Sequence, residues 1–173
     1  LESEAKLILN NDDYSFTTGF QSFENLTLAK SDRYQFILPY YNFDKQISNN
    51  YRNGSISFSS NGSNELNNTN NLKTIVNNNV NYNSFDFISN NGFKSAYNLY
   101  FKNLNTVAKN DSKYKSSPQM ELMSLFEVNS SLPLIQQGDK SVNYLTPKAS
   151  IRFNPGDMKD YSSSDRSINV DGI

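Results

Sequence analysis

The sequence predicts an all-β chain, an antiparallel meander of about eight strands. Apolar and polar residues alternate with period two over most of its length, and clusters of turn-forming residues separate the alternating runs. Helical periodicity is weak throughout. The clearest segment is Ser131 to Pro155, SLPLIQQGDKSVNYLTPKASIRFNP, which holds two apolar-rich runs around a polar turn. In the second run Leu145, Pro147, Ala149, Ile151 and Phe153 alternate with Thr146, Lys148, Ser150 and Arg152. One face is therefore apolar and the other carries two cations. A soluble sandwich buries such an apolar face, whereas a membrane barrel turns it to lipid. Period alone does not separate the two.

The elements follow in order. Leu1 to Asn10 reads as a first strand with Ala5, Leu7 and Leu9 on one face, ended by the turn Asn11-Asp12-Asp13. Tyr14, Phe16, Thr18 and Phe20 then alternate with Ser15, Thr17, Gly19 and Gln21. After a loop from Glu24 to Asp32, the residues Tyr34, Phe36, Leu38 and Tyr40 continue on one face, with Arg33 and Gln35 opposite. Pro39 has no N–H for the ladder, which predicts a bulge or a missing bond. Asn53-Gly54 is a hairpin-type turn signal leading into Ile56 and Phe58. Asn61 to Asn71 is polar and Asn-rich and reads as an exposed loop. Leu72, Thr74, Val76, Val80 and Tyr82 next oppose Lys73, Asn77, Asn79 and Asn81, and Asn90-Asn91-Gly92 marks a turn. Phe93, Tyr97, Leu99 and Phe101 oppose Lys94, Asn98 and Lys102, and Ala108 to Ser117 reads as a charged loop. Met120, Leu122, Phe126 and Val128 oppose Glu121 and Glu127. Met123 and Leu125 would also suit a helix there, but the two Glu at odd positions fit a strand better. The chain is polar again from Gly156 to Arg166.

Composition narrows the function. The 173 residues suit one domain. Sixteen Lys and Arg against 17 Asp and Glu leave a net charge of -1, which argues against a nucleic-acid partner. The absence of Cys removes disulfides and thiolate metal sites, and the absence of His removes the commonest general base and metal ligand. The abundant Asn is the signature of an AT-rich coding sequence, so triplets such as Asn25-Leu26-Thr27 and Asn53-Gly54-Ser55 arise by chance rather than as glycosylation sites. No apolar run approaches the roughly 20 residues of a membrane helix. A mean hydropathy of -0.68 does not speak against a membrane strand, because only every second residue of such a strand faces lipid. The start at Leu1 and the end at Ile173 read as cuts within a longer protein.

No catalytic, cofactor or metal site is expected. Glu121 and Glu127 share a strand face but stand roughly 20 Å apart by strand rise, too far for a glycosidase pair. Gly156-Asp157 and Ser162 to Asp165 lack the spacing and the distal Glu of a calcium loop. Nucleotide-binding and nucleophile-elbow motifs are absent. The charged residues that fall on polar faces, Lys73, Lys94, Lys102, Glu121, Glu127, Lys148 and Arg152, are the candidate functional set. They either keep a wet surface solvated or contact an anionic passenger.

Two segments resemble a known family. Pro133, Leu134, Leu145, Pro147, Lys148 and Pro155 match a Pro-Leu strand end, a polar turn and a Leu-x-Pro-Lys/Arg strand of the LptD/OstA family of outer-membrane lipopolysaccharide-assembly barrels. The upstream segment SDRYQFILPYYNFDK (Ser31 to Lys45) is similar to the family's Leu-Pro before an aromatic-rich strand, here Leu38, Pro39, Tyr40 and Tyr41. Order and spacing carry the resemblance, which spans about Asp13 to Asp165. It implies that residues 1–173 are a partial LptD-type barrel domain, part of a large transmembrane outer-membrane β-barrel that is not an enzyme and needs no cofactor. It also implies lipopolysaccharide as passenger, an LptE-type lipoprotein plug and an LptA-type periplasmic bridge as partners, and the outer membrane as location. The lateral gate of the family lies between its first and last strands, so no gate residue is assigned here. Two other readings stay open: a complete small eight-stranded outer-membrane barrel, and a soluble carbohydrate-binding β-sandwich.

Overall fold

Period-two alternation becomes one continuous ladder. The computed structural model describes residues 1–29, 32–68, 70–139 and 141–156, and these form eleven strands and no helix. They are β1 (Glu2–Asn10), β2 (Tyr14–Glu24), β3 (Tyr34–Ser48), β4 (Gly54–Asn67), β5 (Asn71–Ser84), β6 (Phe87–Ile88), β7 (Lys94–Lys109), β8 (Gln119–Ser131), β9 (Leu134–Gln137), β10 (Val142–Leu145) and β11 (Lys148–Phe153). The main sheet runs β1-β2-β3-β4-β5-β7-β8-β11, with β6 paired to β7 beside that path. Every pairing is antiparallel. β9 and β10 form a separate hairpin. β1 and β11 are the outer edges and are not paired to each other, so the sheet is open rather than closed into a barrel.

Register fixes which residues share a face, because directly paired residues project to the same side. The pairs Lys73↔Ala108, Asn79↔Lys102, Asn98↔Glu127 and Glu127↔Arg152 place one parity of every strand on a polar face. The pairs Val80↔Phe101, Leu99↔Phe126 and Phe126↔Phe153 place the other parity on an apolar face. The polar face is the better covered of the two near β7 and β8, where Thr106, Ala108, Leu125 and Glu127 are buried. The apolar face is bare: Phe101, Met120, Leu122, Ile151 and Phe153 are each more than half exposed. Among the described residues the buried hydrophobic set is Ala108, Tyr114 and Leu125 alone, and no second layer packs on the sheet.

Three features differ from the sequence expectation. First, Asn61 to Asn67 is not a loop but the second half of β4, laddered to β5 without interruption from Gly54↔Ser84 to Asn67↔Asn71. Asn disfavours strands when its amide competes for its own backbone. Here the amides and hydroxyls bond across strands instead, as in Thr74 Oγ1 to Asn64 Oδ1 at 2.6 Å and Ser60 Oγ to Asn78 Oδ1 at 2.7 Å. The strand ends only at Asn67, and Asn68 follows at φ 50°. Second, the ladder slips between Ile37 and Tyr40, beside Pro39. Parity inverts across the slip, so Tyr34 and Phe36 share the apolar face with Tyr41 and Phe43, and Tyr40 moves to the polar face. Third, Leu145 to Phe153 is not one strand. It breaks at Thr146-Pro147 into β10 and β11, and the Pro147 carbonyl accepts from the Leu132 N–H at 3.0 Å to close the base of the β9–β10 hairpin. Met120 to Val128, expected as a strand, lies wholly within β8, so the helical alternative is excluded. The calcium-like segment Ser162 to Asp165 falls outside the described residues.

Candidate functional site

The polar face brings the whole candidate set to one side of the sheet. Lys73 on β5, Lys94 and Lys102 on β7, Glu121 and Glu127 on β8, and Lys148 and Arg152 on β11 all occupy the same parity chain of paired residues. Alternation on each strand put them opposite the aromatics, and register then carries that parity from strand to strand.

The set divides into smaller groups. Glu127 is the best-held charge, only 8% exposed. Its Oε2 accepts from Arg152 Nε at 2.5 Å, and its Oε1 accepts from Asn129 Nδ2 at 2.5 Å and Asn98 Nδ2 at 3.2 Å. Strand β7, β8 and β11 each contribute to this cluster. Sequence reasoning placed Glu127 on an open wet surface, and its burial is the correction: Tyr100 and Leu125 pack beside it, and donors on both neighbouring strands replace water. Lys73 pairs with Glu65 of β4 at 3.0 Å and lies over the Tyr114 ring at 5.5 Å. Lys94 pairs with Asp86 at 2.8 Å, both about half exposed. Lys94 and Lys148 flank Ser131 in one row. Lys102 stands opposite Met123, and Glu121 opposite Leu104.

Charge is concentrated on β7, β8 and β11. On β4 and β5 the same face carries Ser55, Ser57, Ser59, Asn61 and Ser63 against Asn83, Asn81, Asn79, Asn77 and Ile75. Across the three strands at the other edge of the sheet, β1 to β3, Tyr40 donates to Glu4 Oε1 at 2.6 Å and Gln21 donates to the same atom at 3.0 Å. The residues that sequence reasoning missed are Asn98, Asn129, Asp86, Glu65 and Glu4. Asn98, Asp86, Glu65 and Glu4 carry no local signal, because each acts through a partner on another strand or loop; Asn129 acts on Glu127 two residues away, a same-face spacing on β8 that could have been read.

The chemistry of this face is solvation and ion pairing. Among the described residues no group of three or more Asp or Glu converges in a way that could hold a metal ion. No family model matches the chain, and no curated protein or solved structure matches it.

Proposed function

We propose that this chain is part of the wall of an outer-membrane β-barrel of the lipopolysaccharide-assembly type, with its polar face toward a wet interior and its apolar face toward lipid. The observation that carries the reading is the segregation fixed by register: the seven charged candidates share one face, and the large aromatics and aliphatics of the other are bare. An apolar surface of that extent needs a cover. A sandwich would supply a second sheet, and the only other sheet among the described residues is the four-residue hairpin β9–β10.

The apolar face is not uniformly apolar. The row of Phe43 on β3 runs through Ser60, Asn78 and Asn103 to Leu122 on β8, and the row of Phe126 on β8 runs through Leu99, Tyr82 and Ile56. The hydrogen-bonded network Tyr41–Ser60–Asn78–Asn103 is the polar island between them. Within this reading the LptD/OstA-like segments name the passenger as lipopolysaccharide, and the family's LptE-type plug and LptA-type bridge come with it as proposed partners.

Two experiments separate the coarse reading from the fine one. Reconstituted into liposomes, the protein should resist added protease over its strands; complete digestion contradicts a membrane wall. Photo-crosslinking residues placed at Lys73 and Lys102 in the protein in cells should capture lipopolysaccharide. A protease-resistant protein that captures none contradicts the passenger and leaves the barrel standing.

A further inference from the structure

One bay on the polar face has the make-up of a ligand site. At the end of the sheet where β7 and β11 begin, Lys94, Ser131 and Lys148 form a single row on three adjacent strands. The two lysine backbones are about 10 Å apart at ~4.8 Å per strand, with the Ser131 hydroxyl between them. The next row inward is Ala96, Asn129 and Ser150, all short side chains. They leave a cavity of 680 Å³, walled by Lys94, Asp86 and Lys148 and overhung by Pro133 and Thr146. The row beyond is Asn98, Glu127 and Arg152.

The charges facing the bay do not cancel. Glu127 and Arg152 neutralise each other at 2.5 Å. Asp86 sits on Lys94 at 2.8 Å, in an exposed pair of a kind that is weak. Among the described residues Lys148 makes no ion pair. The bay is left with one uncommitted ammonium, a second that is loosely held, and the Ser131 hydroxyl, which donates only at a long 3.4 Å to the Lys94 carbonyl. We propose that it binds a phosphate group. Two ammonium ions are point charges that suit a dianionic tetrahedral oxyanion. A dianion gains from both ammonium ions at once, whereas a monoanionic carboxylate is met by one of them, as Asp86 is by Lys94, and Arg152 is already engaged by Glu127. The proposal stands on this geometry whether or not the sheet is a membrane wall.

Phosphate could reach the bay free in solution or as a monoester headgroup, and the test separates them. The lysines of the protein in phosphocholine micelles are ¹³C-dimethylated, which keeps their charge, and titrated with sodium phosphate and, separately, with phosphatidic acid added to the micelle. The Lys148 and Lys94 methyl signals should move and saturate, while Lys45 on the opposite face and an equal ionic strength of sodium chloride give no such response. Saturation by inorganic phosphate assigns a free-oxyanion site, and saturation by phosphatidic acid alone assigns a headgroup site. Lys148→Gln should weaken the Lys94 response at least fivefold, and Asp86→Asn should strengthen it. Lysine shifts that chloride reproduces, no saturation with either phosphate source, or a Lys94 response indifferent to Lys148→Gln would each overturn the proposal.

Discussion

The β4–β5 pair and the β8–β11 pair are held together by different means. β4 and β5 share fourteen paired residues, and their polar face is Ser against Asn with a single ion pair, Lys73 with Glu65, near one end. β8 and β11 share six paired residues, and their polar face is fastened by Glu127 with Arg152, reinforced by Asn98 and Asn129. The first junction spreads its cohesion over many hydrogen bonds, each worth about 0.5–1.5 kcal/mol net. The second concentrates it in one charged cluster on a short edge strand. A single substitution should therefore be tolerated in the first and felt in the second.

The largest expected effect tests the other face of the short junction. Phe126→Arg should cost about 2–4 kcal/mol in a bilayer if Phe126 lies near the midplane. Urea unfolding of the reconstituted protein measures it, and a cost below about 1 kcal/mol would remove Phe126 from lipid. Next comes Glu127→Ala, which strands Arg152 and two amides. We expect about 2–3 kcal/mol, below the value for a fully buried pair because the Arg152 side chain is 53% exposed. The loss should appear at β11 first, as faster amide exchange of Ala149 to Arg152. Equal acceleration in β4 would contradict a local clamp.

In the long junction the exception to tolerance is steric. A Cβ on Gly62 would stand 2.6 Å from the Tyr41 ring and 3.1 Å from the Ile75 carbonyl. Gly62→Ala should cost about 1–2 kcal/mol, in the range of overpacking elsewhere. The smallest effect should be Ser59→Ala, which deletes one bond from Asn79 Nδ2 at 3.1 Å and should cost about 0.5 kcal/mol. If Ser59→Ala proved as damaging as Glu127→Ala, the contrast between spread and concentrated cohesion would fail.

What the sequence discloses follows the same contrast. On β2, β5, β7 and β8 the two faces are readable from alternation, although apolar Ile75, Tyr100, Leu104, Met123 and Leu125 lie on the polar face. Asn61 to Asn67 was not readable as strand, because its pattern is polar on both sides and its cohesion comes from amides on β5. The parity of Tyr40 and Tyr41 depended on a slip near Pro39 whose size no local rule fixes. The break at Pro147 was hidden because Leu145, Pro147 and Ala149 keep the alternating pattern through it. Among the site residues, face was legible and depth was not. Glu127 and Glu121 look alike in sequence, and the approach of Arg152 and Asn98 from neighbouring strands, with Asn129 two residues along β8, distinguishes Glu127.

The central claim is that one face of this sheet meets water and the other meets lipid. The chain has no cysteine, so single cysteines report cleanly. They would be placed one at a time from Met120 to Val128 along β8 in the reconstituted protein and exposed to a water-soluble, membrane-impermeant maleimide, with the buried Leu125 and Glu127 left out. The account predicts alternation: Glu121 and Met123 positions react, while Leu122, Phe126 and Val128 positions do not. Equal reaction at both parities, or the reverse alternation, would contradict it.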